Sequence, residues 1–228
     1  MSRARRAAPI DNFYASVTDL VIGFLFIFII LLVSFAIGFR IEENKLQRAA
    51  ELQQKAREQL LQAVVKAAGL DPLEQTALDE GIIRLPQNTL FDNNSASLRP
   101  GGEPTLRRLA TALLAEVPCY TLTRTGTCPK DSAPVLDAIY IEGHTDKNPA
   151  KAPWDDNWEL SAARATQVRK TLVEAAPGLG DLLNADEKVN VSLLGISGYA
   201  DSRLVVRDNP LAAENRRVDL RFTMIPLK

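Results

Sequence analysis

The feature that most constrains this chain is an uncharged apolar run near its N-terminus, LVIGFLFIFIILLVSFAIGF, from Leu20 to Phe39. A helix needs about 20 apolar residues to cross the hydrocarbon core of a membrane. A soluble protein would have to bury such a helix on every side. A cleavable signal peptide is the other alternative, because arginines occupy positions 3, 5 and 6 and Ser34–Ala36 resembles a cleavage site. The apolar region of a signal peptide, however, usually spans only about 7–15 residues. We therefore predict one retained transmembrane helix over residues 13–39.

Basic residues do not decide which side of the membrane each end occupies. Lys and Arg stand on both sides of the apolar run, interleaved with Glu after it, so the positive-inside count is indecisive. Cys119 and Cys128 bracket a short polar loop. A disulfide between them would need an oxidising compartment and would contribute roughly 3 kcal/mol in the chain-entropy model; two reduced cysteines are the alternative. We expect a single-pass inner-membrane protein with residues 1–12 in the cytoplasm and the C-terminal domain in the periplasm.

Asp19 is an ionisable residue placed where the apolar character has already begun, at Phe13. In a helix that starts near Asn12, it lies about two turns in. Apolar surroundings favour a neutral acid over a carboxylate, and an ionisable residue within a membrane is a functional candidate by default. The alternative is an aspartate at the level of the lipid headgroups that helps to cap the helix, since Ser16 and Thr18 are also good capping types.

Residues 40–78 form a predicted helical linker. As far as Ala68 they are rich in Glu, Gln, Lys, Arg, Ala and Leu, which are strong helix formers. Their apolar positions recur at three- and four-residue steps, which indicates a weak coiled coil because half of them hold small residues. A solvated helix that continues the membrane span is the alternative. The segment Gly69–Pro72 is expected to end the helix.

From residue 79 to 228 the pattern changes to short strands separated by helices. This alternation favours an α+β domain, and about 150 residues are enough to bury an independent core. The predicted elements are strands at 81–85, 138–142, 189–194 and 217–224, and helices at 105–116 and 160–175.

Composition and motif content exclude several classes of function. A net charge of −1 argues against nucleic-acid binding through a strongly basic surface. Two cysteines and one histidine do not make a four-cysteine zinc site. The histidine, His144, is expected to be a strand-end residue that shapes a loop. No phosphate-binding glycine motif, paired nucleophile or catalytic carboxylate pair stands out. We expect a protein that is not an enzyme and has no cofactor.

Ordered motifs in the C-terminal part resemble those of the OmpA-like peptidoglycan-binding domain. They are LFD and SLRP within residues 90–100, IEGHTD at 141–146, NWELSAARA at 157–165, GYAD at 198–201 and ENRRVDLRF at 214–222. The resemblance covers roughly residues 80–228. It implies a β/α/β/α/β-β sandwich that follows the single transmembrane helix.

The same resemblance implies a set of binding residues. Asp146 and Arg164 match the family positions that clamp the amine and the carboxylate of diaminopimelate, and an aspartate and an arginine fork suit those two groups. Three further positions match the binding set: Thr145, Asn157 and Leu160. The motif residues Asn215 and Arg216 are expected to be structural or at the rim. Trp154 and Trp158 flank the site, where they either shield it or pack.

The NWELS motif and the transmembrane helix with an aspartate near its start resemble the MotB branch of the family. Members of that branch are the B subunits of ion-driven motors. The short linker and the sequence around Asp19 resemble ZorB, the B subunit of the Zorya anti-phage defence system. That resemblance implies a homodimer inside a ring of multi-helix, ZorA/MotA-like A subunits, five in number, with Asp19 carrying a translocated H⁺; Na⁺ is the alternative ion. A flagellar MotB-type stator and a passive OmpA-like wall tether are the alternative functions.

Overall fold

The computed structural model describes residues 9–70, 78–122, 128–129, 135–185 and 191–225. The chain divides into two compact units, the first within residues 1–50 and the second within residues 51–227. Helix α1, Pro9–Ala68, contributes to both.

The first unit is the N-terminal part of α1. Its side chains from Phe13 to Phe39 are all exposed, and its mean hydropathy reaches 3.2 over 18 residues. By length and composition this helix can cross a membrane. Exposure of apolar side chains on every face is what a lipid-facing helix requires, and a helix in a soluble core would show the opposite.

The second unit begins with residues 51–68 of α1. The buried residues of this segment follow helical spacing and join the hydrophobic core: Ala56, Leu60, Leu61, Val64, Val65 and Ala68. Gln53 donates from Nε2 to the carbonyl of Ile225 at 2.8 Å. Sequence analysis placed the start of the domain at residue 79, whereas the compact unit starts at Glu51, because this amphipathic face has a core to pack against. Gly69, at φ +63°, follows the last helical residue, as predicted.

The sheet has four strands: β1 Ile82–Pro86, β2 Leu136–His144, β3 Leu194–Gly198 and β4 Arg217–Met224. The spatial order is β1-β4-β2-β3, and only the pairing of β2 with β3 is parallel. A parallel pair needs a crossover, which helix α4, Asn157–Ala175, supplies. Helix α3, Gly102–Glu116, packs beside α4, and the short helix α2, Gln87–Leu90, follows β1. This α+β arrangement is the predicted fold class.

The strand predicted at 189–194 is wrong where the structure describes it. Residues 189–190 lie outside the described residues, Ser192 forms an isolated bridge with Leu183, and the paired strand starts only at Leu194. Two glycines in LGISG disfavour a strand by propensity. Pairing with β2 overrides that preference.

The predicted disulfide between Cys119 and Cys128 is present, with Cα atoms 5.2 Å apart. Cys119 is buried in the turn Val117–Tyr120 that follows α3. The bridge ties this turn to the segment that leads towards β2.

Candidate functional site

The predicted site residues lie where the end of β2 meets the start of α4. Gly143 allows this close approach, because a Cβ at its position would overlap the backbone carbonyl of Ser161. Thr145 and Asp146 follow directly after the strand. The N–H of Thr145 donates to the carbonyl of Ala200 at 2.8 Å. The strand end is therefore held from two directions.

Capping positions the first turn of α4. The N-cap residue Asp156 accepts a hydrogen bond from the N–H of Glu159 at 2.9 Å. Asn157, the first helical residue, donates from Nδ2 to the carbonyls of Asp146 at 3.3 Å and Asn148 at 3.0 Å. Both donor positions of this amide thus tie the helix start to the β2–α4 loop. Its Oδ1 is buried without a hydrogen-bond partner among the described residues.

Arg164 is two turns further along α4 and only 2% exposed. Its guanidinium donates to the carbonyls of Ser95 at 2.9 Å and Asp92 at 3.4 Å, and to Oε1 of Gln87 at 3.3 Å. It also lies 5.6 Å from the ring centroid of Phe91. All these acceptors are neutral, so hydrogen bonds orient the fork without cancelling its charge.

The charge of Arg164 is poorly compensated. Burial and the Arg216 cation lower the pKa of Arg164 to about 10, although Asp146 acts in the opposite direction. In the described part of the chain no carboxylate forms a salt bridge with Arg164, since Asp146 pairs with Arg216 instead. A buried cation in this situation is stabilised by an anion that enters its cavity.

Asp146 is buried but keeps one free acceptor position. Its Oδ1 accepts the N–H of Asn148 at 3.1 Å, and its Oδ2 accepts Nδ2 of Asn148 at 2.9 Å and Nη1 of Arg216 at 2.7 Å. A carboxylate has about four lone-pair directions, so one at Oδ1 remains available. A ligand cation can use it.

One cavity of about 230 Å³, called the α4 cavity below, is lined by all five predicted binding residues: Thr145, Asp146, Asn157, Leu160 and Arg164. Within the described chain, Oγ1 of Thr145 and Oδ1 of Asn157 are buried and unpartnered. Together with Oδ1 of Asp146 they supply three oxygen acceptors, and Arg164 supplies an under-compensated cation. This arrangement is chemically suited to a ligand group that carries an ammonium and a carboxylate.

Sequence reasoning underrated three residues of this region. Arg216, expected to be structural or at the rim, contacts Asp146 directly. Gln87 lines the cavity and orients Arg164. Asn94 has φ +53° and joins the loop after α2 to the β2–α4 loop. The DNNS turn was a signal for Asn94, because asparagine tolerates left-handed backbone; no comparable signal marked Gln87.

His144 does not face the α4 cavity. Because Gly143 faces α4, its neighbours Glu142 and His144 project from the other side of the sheet. There Nε2 of His144 lies 3.9 Å from Glu142 and 3.8 Å from Asp219. Burial and the Arg217 cation lower the pKa of His144, although Glu142 and Asp219 raise it. The residue ends the strand, as predicted.

The carboxylates around His144 are paired with arginines. Asp219 accepts from Arg217 at 2.9 Å and from Arg84 at 3.1 Å. Glu142 accepts from Arg221 at 2.9 Å. Burial alone would raise the pKa of Glu142, but His144 and Arg221 hold it below its usual range. We call these residues the β2–β4 network.

The remaining predicted residues do not line the α4 cavity. Asp19 is exposed on α1, in the first compact unit. Trp154 is half-buried, and its Nε1 donates to the carbonyl of Asn94 at 2.9 Å. Trp158 is 53% exposed. Asn215 is buried, and its Oδ1 accepts the N–H groups of Val205 and Val206. These contacts agree with the structural role predicted for it.

Comparison with known proteins finds relatives that match only part of this chain. YtxE of Bacillus subtilis (strain 168), an uncharacterised protein, is 30% identical over 142 residues, which are 61% of this chain and 46% of that protein. LafU of Escherichia coli (strain K12), whose name refers to flagellar export or assembly, is 36% identical over 92 residues, 39% of this chain and 38% of that protein. The chain thus spans less than half the length of these curated relatives.

Among solved structures, the periplasmic domain of Helicobacter pylori MotB is 23% identical with a TM-score of 0.45, over 64% of this chain and 83% of that one. The OmpA family matches residues 90–217, more than half of the chain. That stretch includes the end of β2, the start of α4 and every residue of the α4 cavity except Gln87. The chain belongs to the OmpA family.

Proposed function

We propose that this chain binds the peptide stems of peptidoglycan in the α4 cavity and is anchored to the inner membrane by α1. The observation that carries the proposal is the buried, under-compensated cation of Arg164 beside three oxygens that each keep a free acceptor position, on Thr145, Asp146 and Asn157. The disulfide adds support for a periplasmic location, because such bonds persist in oxidising compartments. The cell wall occupies the same compartment.

Diaminopimelate fits this cavity by its chemistry. The end of its side chain carries an ammonium and a carboxylate on one carbon. An arginine fork recognises a carboxylate through paired hydrogen bonds. An ammonium has three N–H donors, which matches the free acceptors on Thr145, Asp146 and Asn157. Leu160 lines the same cavity and gives the apolar part of the side chain a surface to contact.

Sedimentation with purified sacculi tests this proposal. The full chain in detergent should co-sediment, and Asp146→Asn and Arg164→Gln should each lose most of that binding. Arg169→Gln is the matched control, because it makes the same change on the same helix away from the cavity. Equal sedimentation of all four proteins would contradict the proposal.

We further propose that the chain is the B subunit of a proton-driven motor of the ZorB type. In this proposal two copies lie within a ring of five ZorA/MotA-like A subunits, and Asp19 carries the ion. An ionisable residue inside an apolar helix supports the idea. One charge that moves through about 150 mV yields about 3.5 kcal/mol, which is enough to bias a two-state change in packing. Attachment to the wall would prevent the pair from turning with its ring.

Asp19→Asn tests the motor. In cells that carry the whole operon, we expect loss of phage protection at normal protein levels, because an amide cannot take up and release the proton. Glu43→Gln, a matched change at an exposed position of α1, should protect like wild type. Loss of swimming in place of protection would assign the motor to a flagellar stator. If Asp19→Asn changes neither phenotype, a passive wall tether is the better account.

A further inference from the structure

A second cavity opens on the side of the sheet that carries the β2–β4 network. It measures about 820 Å³ and shares no lining residue with the α4 cavity. We call it the Arg203 cavity. Strands β1 and β4 and the loop between β3 and β4 form most of its lining. Six of the lining residues are cations: Arg84, Lys147, Arg203, Arg207, Arg217 and Arg221.

The cations of this cavity outnumber the carboxylates near them. Three carboxylates belong to its lining: Glu80, Asp201 and Asp219. Glu142 is a fourth, and it accepts from Arg221 at 2.9 Å. Six cations thus share four carboxylates, and the cavity keeps a net positive charge.

Three exposed cations add to those of the network: Lys147, Arg203 and Arg207. In the part of the chain that the structure describes, Lys147 and Arg207 form no salt bridge. Nη1 of Arg203 comes no closer than 3.7 Å to Oε1 of Glu142, and that oxygen already accepts from Arg221. The donors of all three side chains are therefore available to a ligand.

The Arg203 guanidinium is held in place although it donates no hydrogen bond to the described residues. It lies 3.6 Å from the ring centroid of Tyr199. Tyr199 is itself stacked with the buried His144, at 5.6 Å between ring centroids. A guanidinium stacked on a ring keeps its N–H donors in its own plane. The stack therefore orients the fork and leaves its donors unused.

Asn215 fixes the loop that carries Arg203 and Arg207. Its Oδ1 accepts the N–H groups of Val205 and Val206, both at 2.9 Å. Its Nδ2 donates to two carbonyls of the same loop at 3.2 and 3.0 Å. Because the backbone between the two arginines is already ordered, a ligand need not meet the free-energy cost of ordering it.

We propose that the Arg203 cavity binds the phosphate group of a phosphate ester. A phosphomonoester carries a charge of about −1.5 to −2 at pH 7 and three strong acceptor oxygens. Arginine forks and lysine ammonium groups are the side chains that recognise such a group. The volume of the cavity leaves room for the rest of a small molecule. This inference goes beyond the proposed function and does not depend on it, since the two cavities have no lining residue in common.

Calorimetric titration of the full chain in detergent with glycerol 3-phosphate tests the site. Succinate, with a similar charge on two separate carboxylates, should bind more weakly. Arg203→Gln should weaken glycerol 3-phosphate binding roughly 10- to 100-fold, because a charged hydrogen-bond partner is lost. Tyr199→Leu should also weaken it, whereas Tyr199→Phe keeps the ring and should bind like wild type. Arg169→Gln, the same change outside the cavity, is the control.

Two further ligands make the outcomes distinguishable. Dihexanoyl phosphatidic acid has the same phosphate with two short acyl chains; if it binds tighter than glycerol 3-phosphate the ligand is a lipid headgroup, and if weaker a soluble ester. The tripeptide L-Ala–γ-D-Glu–diaminopimelate should bind Arg203→Gln and wild type equally. Absence of phosphate binding, affinities unchanged in Arg203→Gln, or equal binding of succinate would overturn the phosphate site. Failure of the tripeptide alone would overturn only the proposed function.

Discussion

Two buried clusters of charge lie on opposite sides of the end of β2, and they are compensated differently. In the β2–β4 network the carboxylates of Glu142 and Asp219 each accept from arginines at 2.9 Å. In the α4 cavity the Arg164 guanidinium meets only neutral acceptors. Burial of a charge costs free energy unless a partner compensates it. The charges of the network are therefore compensated within the protein, whereas we propose that a ligand compensates Arg164 in the α4 cavity.

The comparison separates two roles that sequence alone cannot. Arg164 and Arg217 are both almost fully buried arginines within family motifs. Asp219 lies two residues from Arg217 on β4 and compensates it. A ligand would have to do the same for Arg164. Substitutions at the two positions should accordingly affect different measurements.

The largest effect is expected for Gly143→Ala, which should damage both clusters. The added Cβ overlaps the Ser161 backbone, so β2 and α4 must separate. We expect a loss of more than about 4 kcal/mol in the free energy of unfolding, measured by urea denaturation. Since the partner atom is backbone carbonyl and cannot rotate away, a stable Gly143→Ala protein would contradict the packing described for this strand.

Arg217→Gln should reduce stability and spare binding. It leaves Asp219 buried with less compensation, and loss of one partner from a buried ion pair costs about 3–5 kcal/mol. Urea denaturation measures the loss. At a temperature where the variant is folded, its affinity for sacculi should equal that of wild type. Weaker sacculus binding by folded Arg217→Gln would mean that the two clusters are not independent.

Arg164→Gln should show the reverse pattern. We expect tripeptide affinity to fall by about 2–3 kcal/mol, roughly 30- to 150-fold, since a charged partner of the ligand is lost. The free energy of unfolding should fall less than in Arg217→Gln, because no protein carboxylate is left unpaired. Calorimetric titration and urea denaturation of both variants measure the contrast. A larger stability loss in Arg164→Gln would remove the distinction between the clusters.

The smallest effect concerns pH and His144. Its pKa is lower in the folded chain than the ordinary 6.5, so the unfolded chain binds more protons below that value. The stabilisation is present above pH 6.5 and is lost as the pH falls through the folded pKa. We expect this loss of stability in the wild-type chain and its absence in His144→Gln. Glu142, whose pKa is lowered from 4.5 by His144 and Arg221, adds a further loss at lower pH in the wild-type chain.

Much of this could be predicted from local pattern. The strand 217–224 alternates apolar and polar residues, and the helix 160–175 has apolar residues on one face. The spacing of the apolar residues therefore identifies each segment as a strand or a helix. The strand at Leu194–Gly198 could not be found in this way, because its glycines carry no such signal and only its pairing with β2 defines it. The packing of residues 51–68 was missed for a similar reason: an amphipathic helix does not reveal what covers its face.

The site shows the same limit. Motif resemblance identified Asp146 and Arg164, and the structure brings both to one cavity. The contact of Arg216 with Asp146 spans 70 positions, and that of Gln87 with Arg164 spans 77. Such contacts depend on the folded sheet, and a single sequence contains no local trace of them.

The measurement that tests the central claim most directly is a titration with two forms of the diaminopimelate tripeptide. One carries the free side-chain carboxylate, and in the other that group is an amide. If Arg164 pairs with the side-chain carboxylate of the ligand, the amidated form should bind the wild-type chain at least about tenfold more weakly. Arg164→Gln should then bind both forms equally weakly. Equal and tight binding of both forms by wild type would contradict the account.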